Sequence, residues 1–104
     1  MKKRIAQRIK LLNEEQNIFL KYLKVKFPLF HNSNFFFRDF HYGVKYFLEE
    51  KQLSTSYAEA EKCAIGFSKS LEKQGIFTKV NNTGWKVTYP EFATTTPGDP
   101  FGKL

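Results

Sequence analysis

LEKQGIFTKVNNTGWKVTYP, residues 71–90, is the stretch on which the fold of this chain turns. A helical pattern runs into Gly75, and glycine takes the left-handed backbone of a helix C-terminus at low cost. An apolar strand follows from Ile76 to Val80. The polar turn Asn81, Asn82, Thr83 and Gly84 comes next, and a second strand runs to Pro90. Folded about that turn, the spacing sets Val80 opposite Trp85, Thr78 opposite Val87 and Ile76 opposite Tyr89. One face of the ribbon is then mostly apolar, while Lys79 and Lys86 point the other way. Gly84 is expected to take a positive φ at the end of the turn.

Working back from the ribbon, Ser56 and Glu59 stand at the spacing of a capping box, so a helix is expected to begin there. At about 100° per residue, Ala60, Ala64, Phe67 and Leu71 fall within one narrow arc of that helix, its buried side. Phe37, Phe40, Val44, Phe47 and Leu48 mark a helix before it. Its last turn carries Glu49 and Glu50 against the negative end of the helix dipole. HNSN, residues 31–34, reads as a loop in which Ser33 or Asn34 caps that helix. Phe19, Leu20, Leu23 and Phe27 form an earlier stripe closed by Pro28, with Asn13 and Gln16 as its capping pair. Ile5, Ile9 and Leu12 recur at helical spacing among Lys2, Lys3, Arg4, Arg8 and Lys10, either as a backward extension of that helix or as a separate short one. Residues 91–104, EFATTTPGDPFGKL, read as a flexible tail rich in Thr, Pro and Gly. The expected division is therefore a basic arm over 1–12, a domain over 13–90 and a tail over 91–104.

The totals bound what such a chain can do. Its 104 residues suffice for one domain, and aromatics at 17%, twelve of them Phe, supply a core without staples. A single cysteine, Cys63, excludes an internal disulfide, and with only two histidines it makes no structural zinc site. Neither a metal nor a cofactor is expected. Cys63 reads as packing, His31 as a loop residue and Trp85 as a lid over the core. Asp39 and His41, two apart on a helix, face different ways and make no acid–base pair. With no phosphate-binding, dinucleotide or HExxH motif, the chain does not read as an enzyme. No apolar run approaches the ~18 residues of a membrane span, and the basic start lacks the apolar core of a signal peptide, so a cytoplasmic setting is expected. The formal charge of +7 attracts polyanions, nucleic acid first.

Helices followed by a β-ribbon, with a short turn before the last helix, give STSYAEAEKCAIGFSKSLEKQGIFTKVNNTGWKVTYP (54–90) its character. That stretch resembles the final helix and wing of winged helix-turn-helix domains, and it is also similar to the end of DEP domains, which use this scaffold for docking. The resemblance implies an α+β, mostly helical fold, a winged helix of three core helices and a two-stranded C-terminal β-wing. It also implies that the outward face of the last helix enters the major groove of DNA while the wing touches the backbone. On that face Lys62, Gly66, Lys69 and Lys73 fall in one row with Ser70 beside them. Lys79, Asn81, Asn82 and Lys86 of the wing extend the row, and Lys2, Lys3, Arg4 and Arg8 form an accessory basic arm. The absence of Arg and Asn from this helix points to phosphate contact with modest sequence specificity, to DNA more than RNA, in a transcriptional regulator or architectural factor. Ile5, Ile9 and Leu12 could also serve as a dimer seam. The alternative is an adaptor docking within a protein or ribonucleoprotein assembly, which exposed Tyr, Phe or Ile65 clusters would favour.

Overall fold

The computed structural model describes residues 2–27 and 29–89, and of Lys2 the backbone alone. Four helices and three strands follow in the order α1 (Lys2–Glu14), α2 (Gln16–Lys26), β1 (Asn34–Phe36), α3 (Phe37–Glu50), α4 (Tyr57–Lys73), β2 (Phe77–Asn81) and β3 (Gly84–Val87). The fold is α+β and mostly helical, in a layout compatible with a winged helix. The expected tail over 91–104 lies outside the described residues.

Local chemistry fixes α4 at both ends. Ser56 Oγ accepts from the Glu59 amide at 3.1 Å, and the Glu59 carboxylate accepts from the Ser56 amide at 3.0 Å. This is the reciprocal box that the spacing predicts, and such a cap contributes about 1 kcal/mol. After the last turn Gly75 takes φ +80 and turns the chain into β2. Between the caps Ala60, Ala64, Phe67 and Leu71 are buried as the arc requires, and Cys63 and Ser68 join them.

Phe19 centres the core. Its ring meets Phe40, Phe47 and Phe67 edge to face at 5.8, 5.2 and 5.2 Å, so α2, α3 and α4 converge on one side chain. Burying a Phe contributes about 1.5–3 kcal/mol, and each edge-on pair adds about 0.5–1.5. The helices α1 and α2 are separate. Asn13 does not cap α2; it stays within α1, its side-chain amide donating to the Ile9 carbonyl, and α2 follows Glu15 without a side-chain cap. Lys51 at the end of α3 pairs with that Glu15. The helices α1 and α4 lie side by side in the same direction, since Arg4 meets Glu59 and Ile9 meets Gly66.

The sheet departs from expectation in two ways. It has three antiparallel strands in the order β1-β3-β2, because residues 34–36 pair with β3 and do not form only a loop. Neither Ser33 nor Asn34 caps α3, whose N-cap Phe36 has no side-chain bond; Ser33 Oγ accepts from the Phe30 amide instead. Gly84 does not take a positive φ. A Cβ there would lie 2.7 Å from the Phe35 carbonyl oxygen, so its glycine is required by the close approach of β1.

The second departure is the ribbon's register. Phe77 pairs with Val87, Thr78 with Lys86 and Lys79 with Trp85, one residue from the expected pairing, and an irregularity between Lys79 and Asn81 restores Asn81 opposite Gly84. The turn is correspondingly tighter, with Asn81 Oδ1 accepting from the Thr83 amide and hydroxyl at 2.9 Å each. A one-residue slip reverses the faces. Lys79 therefore shares the inner face with Phe77 and Trp85, while Lys86 and Thr78 face outward.

Candidate nucleic-acid interface

That register creates the cleft between α4 and the ribbon. Lys69 and Ile65 enter it from α4, Lys79 from β2, and Asn81 and Asn82 from the turn, over a floor that includes Trp85 and Gly84. Two ammonium groups and two amides thus line one concavity. Trp85, only 5% exposed, stacks on Phe77 at 4.7 Å and donates its indole N–H to Glu72 at 2.7 Å. It closes the core beneath the cleft and offers no open stacking face. Glu61 also lines the cleft, with no ion pair among the described residues, and its carboxylate opposes any phosphate brought there.

The remaining residues of the expected row divide between two environments. Lys62, Lys69 and Lys73 are exposed on α4, and Lys62 borders a second, apolar groove formed with Ile5, Ala6 and Ile9 of α1. Gly66 is not on the open face. A Cβ at position 66 would lie 2.5 Å from Ile9 Cδ1, so its missing side chain lets α1 approach α4 and does not serve a phosphate backbone. Ser70 is half-buried on the same side, its hydroxyl accepting from Gln74 at 3.2 Å, and Gln74 in turn exchanges bonds with Gln16 of α2. Lys86 is exposed on the outer face of the sheet, away from the cleft.

The basic arm is largely committed to the fold. Arg8 is 8% exposed and donates to the Ser54 carbonyl at 3.1 Å and the Thr55 hydroxyl at 3.3 Å. Arg4 donates to the same Ser54 carbonyl and pairs with Glu59 at 2.9 Å. Both guanidinium groups therefore staple α1 to the 54–59 segment, Arg4 while still exposed, and Lys3 and Lys10 are exposed beside them. The seam of Ile5, Ile9 and Leu12 is likewise laid against the core of its own chain, with Leu12 fully buried. Glu59 reports this arrangement. Its bond with the Ser56 amide, with Arg4 and Arg8 nearby, holds its carboxyl below the ordinary range.

One residue that the spacing did not single out joins the site. Arg38, exposed in the first turn of α3, lines a crevice with Asn82 and Thr83 of the ribbon's turn. The Phe37 amide donates to the Thr83 carbonyl at 2.8 Å and brings the two segments together. No periodicity in the sequence signals that contact, because it depends on β1 pairing with β3.

The other chemistry-bearing side chains have structural settings. His31 Nδ1 accepts from the Tyr89 amide, His41 Nε2 bonds the Tyr57 carbonyl, and burial pushes the Cys63 thiol up from its usual range. Among the described residues no cluster of His, Cys, Asp and Glu could hold a metal ion, and no helix is long and apolar enough to cross a membrane. No family model, curated protein or solved structure matches the chain.

Proposed function

We propose that this chain is a small winged-helix nucleic-acid-binding module that holds duplex DNA through lysine–phosphate contacts with modest sequence specificity. In this reading α2, α3 and α4 are the core helices and the β2–β3 ribbon is the wing. The observation that carries it is the convergence of Lys69, Lys79, Asn81 and Asn82 on one cleft, which Glu61 and the Trp85-bonded Glu72 also line. Lys62 and Lys73 stand exposed along the same helix, and Arg38 stands beside the turn. An ammonium on a flexible stem suits a phosphate oxygen, whose contact positions a protein without reading sequence. A role in cytoplasmic transcriptional regulation or DNA architecture follows from such binding.

Fluorescent random-sequence duplex, titrated across a salt series, tests the reading. The wild type should bind with an affinity that falls steeply with salt, each phosphate contact contributing about 0.9 to the log–log slope. Combining Lys62→Ala, Lys69→Ala and Lys73→Ala should lower both affinity and slope. No binding at low salt, or an unaffected triple variant, would remove α4 as the reading head.

A second reading has its own observation. Tyr42, Tyr46 and Tyr57 are 37%, 44% and 50% exposed, and their rings lie against one another at the junction of α3 and α4. The Tyr46 and Tyr57 hydroxyls are 3.1 Å apart, a hydrogen bond that holds the Tyr57 phenol above its ordinary range. Contiguous exposed tyrosine favours protein docking, as an adaptor would require. Loss of a protein partner on Tyr46→Ala, with duplex binding unchanged, would favour this second role.

A further inference from the structure

The outward face of α4 carries one large apolar side chain among its lysines. Ile65 is 44% exposed at mid-helix, one turn after Glu61 and one turn before Lys69, and it lines the cleft with Lys69 and Lys79. We propose that Ile65 reads the C5-methyl group of thymine in the major groove and gives this module a preference for methyl-bearing base pairs. The inference rests on the nucleic-acid reading above and names what that surface would recognise.

The argument is one of elimination and then of fit. Lysine contacts to phosphate fix register and carry no base information. The exposed side chains of α4 are Tyr57 in its first turn and then Ala58, Glu61, Lys62, Ile65, Lys69 and Lys73, and none of them is the Arg, Asn or Gln that makes bidentate contacts to purine edges. Ser68, the nearest hydroxyl, is 6% exposed and donates to the Ile65 carbonyl at 2.9 Å, so it is turned to its own backbone. Lysine can reach a guanine edge and Glu61 can accept from cytosine, so what an apolar side chain adds on this face is a contact to the A·T pair. A major groove is wide enough for a helix, and of the four bases thymine alone presents an apolar substituent there.

The local geometry suits that contact. A β-branched side chain has one strongly preferred χ1 in a helix, so Ile65 presents its methyl groups with little rotamer entropy left to lose. Lys69 follows by one turn, about 6 Å along the axis, and can reach a phosphate while Ile65 faces the base edges. The apolar surface of Ile65 that faces water in the isolated protein would be covered by the methyl group, and the hydrophobic effect would then favour one base over another.

Chemistry on the DNA isolates the effect. Affinity would be measured by anisotropy for an A·T-rich duplex and for the same duplex with deoxyuridine replacing thymidine, which removes only the methyl groups. A G·C duplex with and without 5-methylcytosine adds the same group in the opposite direction. The methyl-bearing member of each pair should bind about fourfold tighter per methyl contacted, from about 0.8 kcal/mol per buried carbon. Ile65→Ala should erase both preferences and leave the salt slope unchanged, and Ile65→Val should keep most of each. Steep salt-dependent binding without methyl preference, or a preference that survives Ile65→Ala, would overturn the role of Ile65 alone. Absence of duplex binding at low salt would overturn it together with the reading on which it rests.

Discussion

The cations of α1 and those of α4 stand on two parallel helices of one basic chain, yet they serve different ends. On α1, Arg4 and Arg8 are bonded to carbonyl, hydroxyl and carboxylate groups of residues 54–59. On α4, Lys62, Lys69 and Lys73 are exposed, with no ion pair or side-chain hydrogen bond among the described residues. The guanidinium fork can satisfy several acceptors at once and tolerates burial, whereas an ammonium on a long stem remains solvated unless a partner is brought to it. A count of positive charge therefore overstates the surface available to a polyanion. The charge that matters for binding is what the fold leaves over.

Arg8→Ala is the sharpest way to break this contrast. It removes the donor to the buried Thr55 hydroxyl and one of the two donors to the Ser54 carbonyl, which Arg4 still serves, and it loosens α1, so a loss of about 2–3 kcal/mol is expected. Thermal denaturation should register this as a fall in Tm of roughly 10–20 °C. A change below about 2 °C would mean that Arg8 is a surface cation after all. Replacing Lys69 and Lys79 together by Ala should do the reverse. Stability should stay within about 0.5 kcal/mol, as is usual for exposed positions, while the salt slope of duplex binding falls by about 2 and affinity drops at every salt concentration.

Acid should separate the two helices as well. The Glu59 carboxyl is held below its ordinary range when folded, so its contribution is present above the unfolded-state value and is lost as pH falls through the folded one. Urea midpoints taken downward from neutral pH should decline at acid pH in the wild type and decline less in Glu59→Gln. Equal decline would remove the Arg4–Glu59–Ser56 contact from the account. The smallest effect concerns the cleft: Glu61→Gln should tighten random-sequence duplex binding by about two- to threefold at low salt, since one exposed like charge is removed. Weaker binding in that variant would mean that the carboxylate itself meets the ligand.

How much of this was legible depended on whether a feature is set by neighbours in sequence. The Ser56–Glu59 box, the turn at Gly75 and the buried arc of α4 were readable because a helix brings residues three and four apart together whatever surrounds it. The lysines exposed along α4 were readable for the same reason. Strand β1 was not, since three residues carry no period and its pairing with β3 is made across fifty positions. The ribbon's register was missed because the irregularity beside Val80 adds a residue that alternation cannot reveal, and this turned Lys79 from the outer face into the cleft. Gly66 looked like an open position on a recognition face because the helix that covers it lies fifty-seven residues upstream at Ile9. Arg38 went unnoticed because only the folded sheet sets it beside Asn82.

The irregularity between Lys79 and Asn81 has a consequence for solubility. With the order β1-β3-β2, both β1 and β2 are edges, and an edge strand with unpaired backbone groups invites another chain to extend the sheet. Here β1 is only three residues long, too short to template a partner. The other edge, β2, carries Lys79 and a break in its regular spacing, two devices that discourage a foreign strand from docking in register. The same extra residue that turns Lys79 into the cleft thus helps keep the sheet from growing into an aggregate.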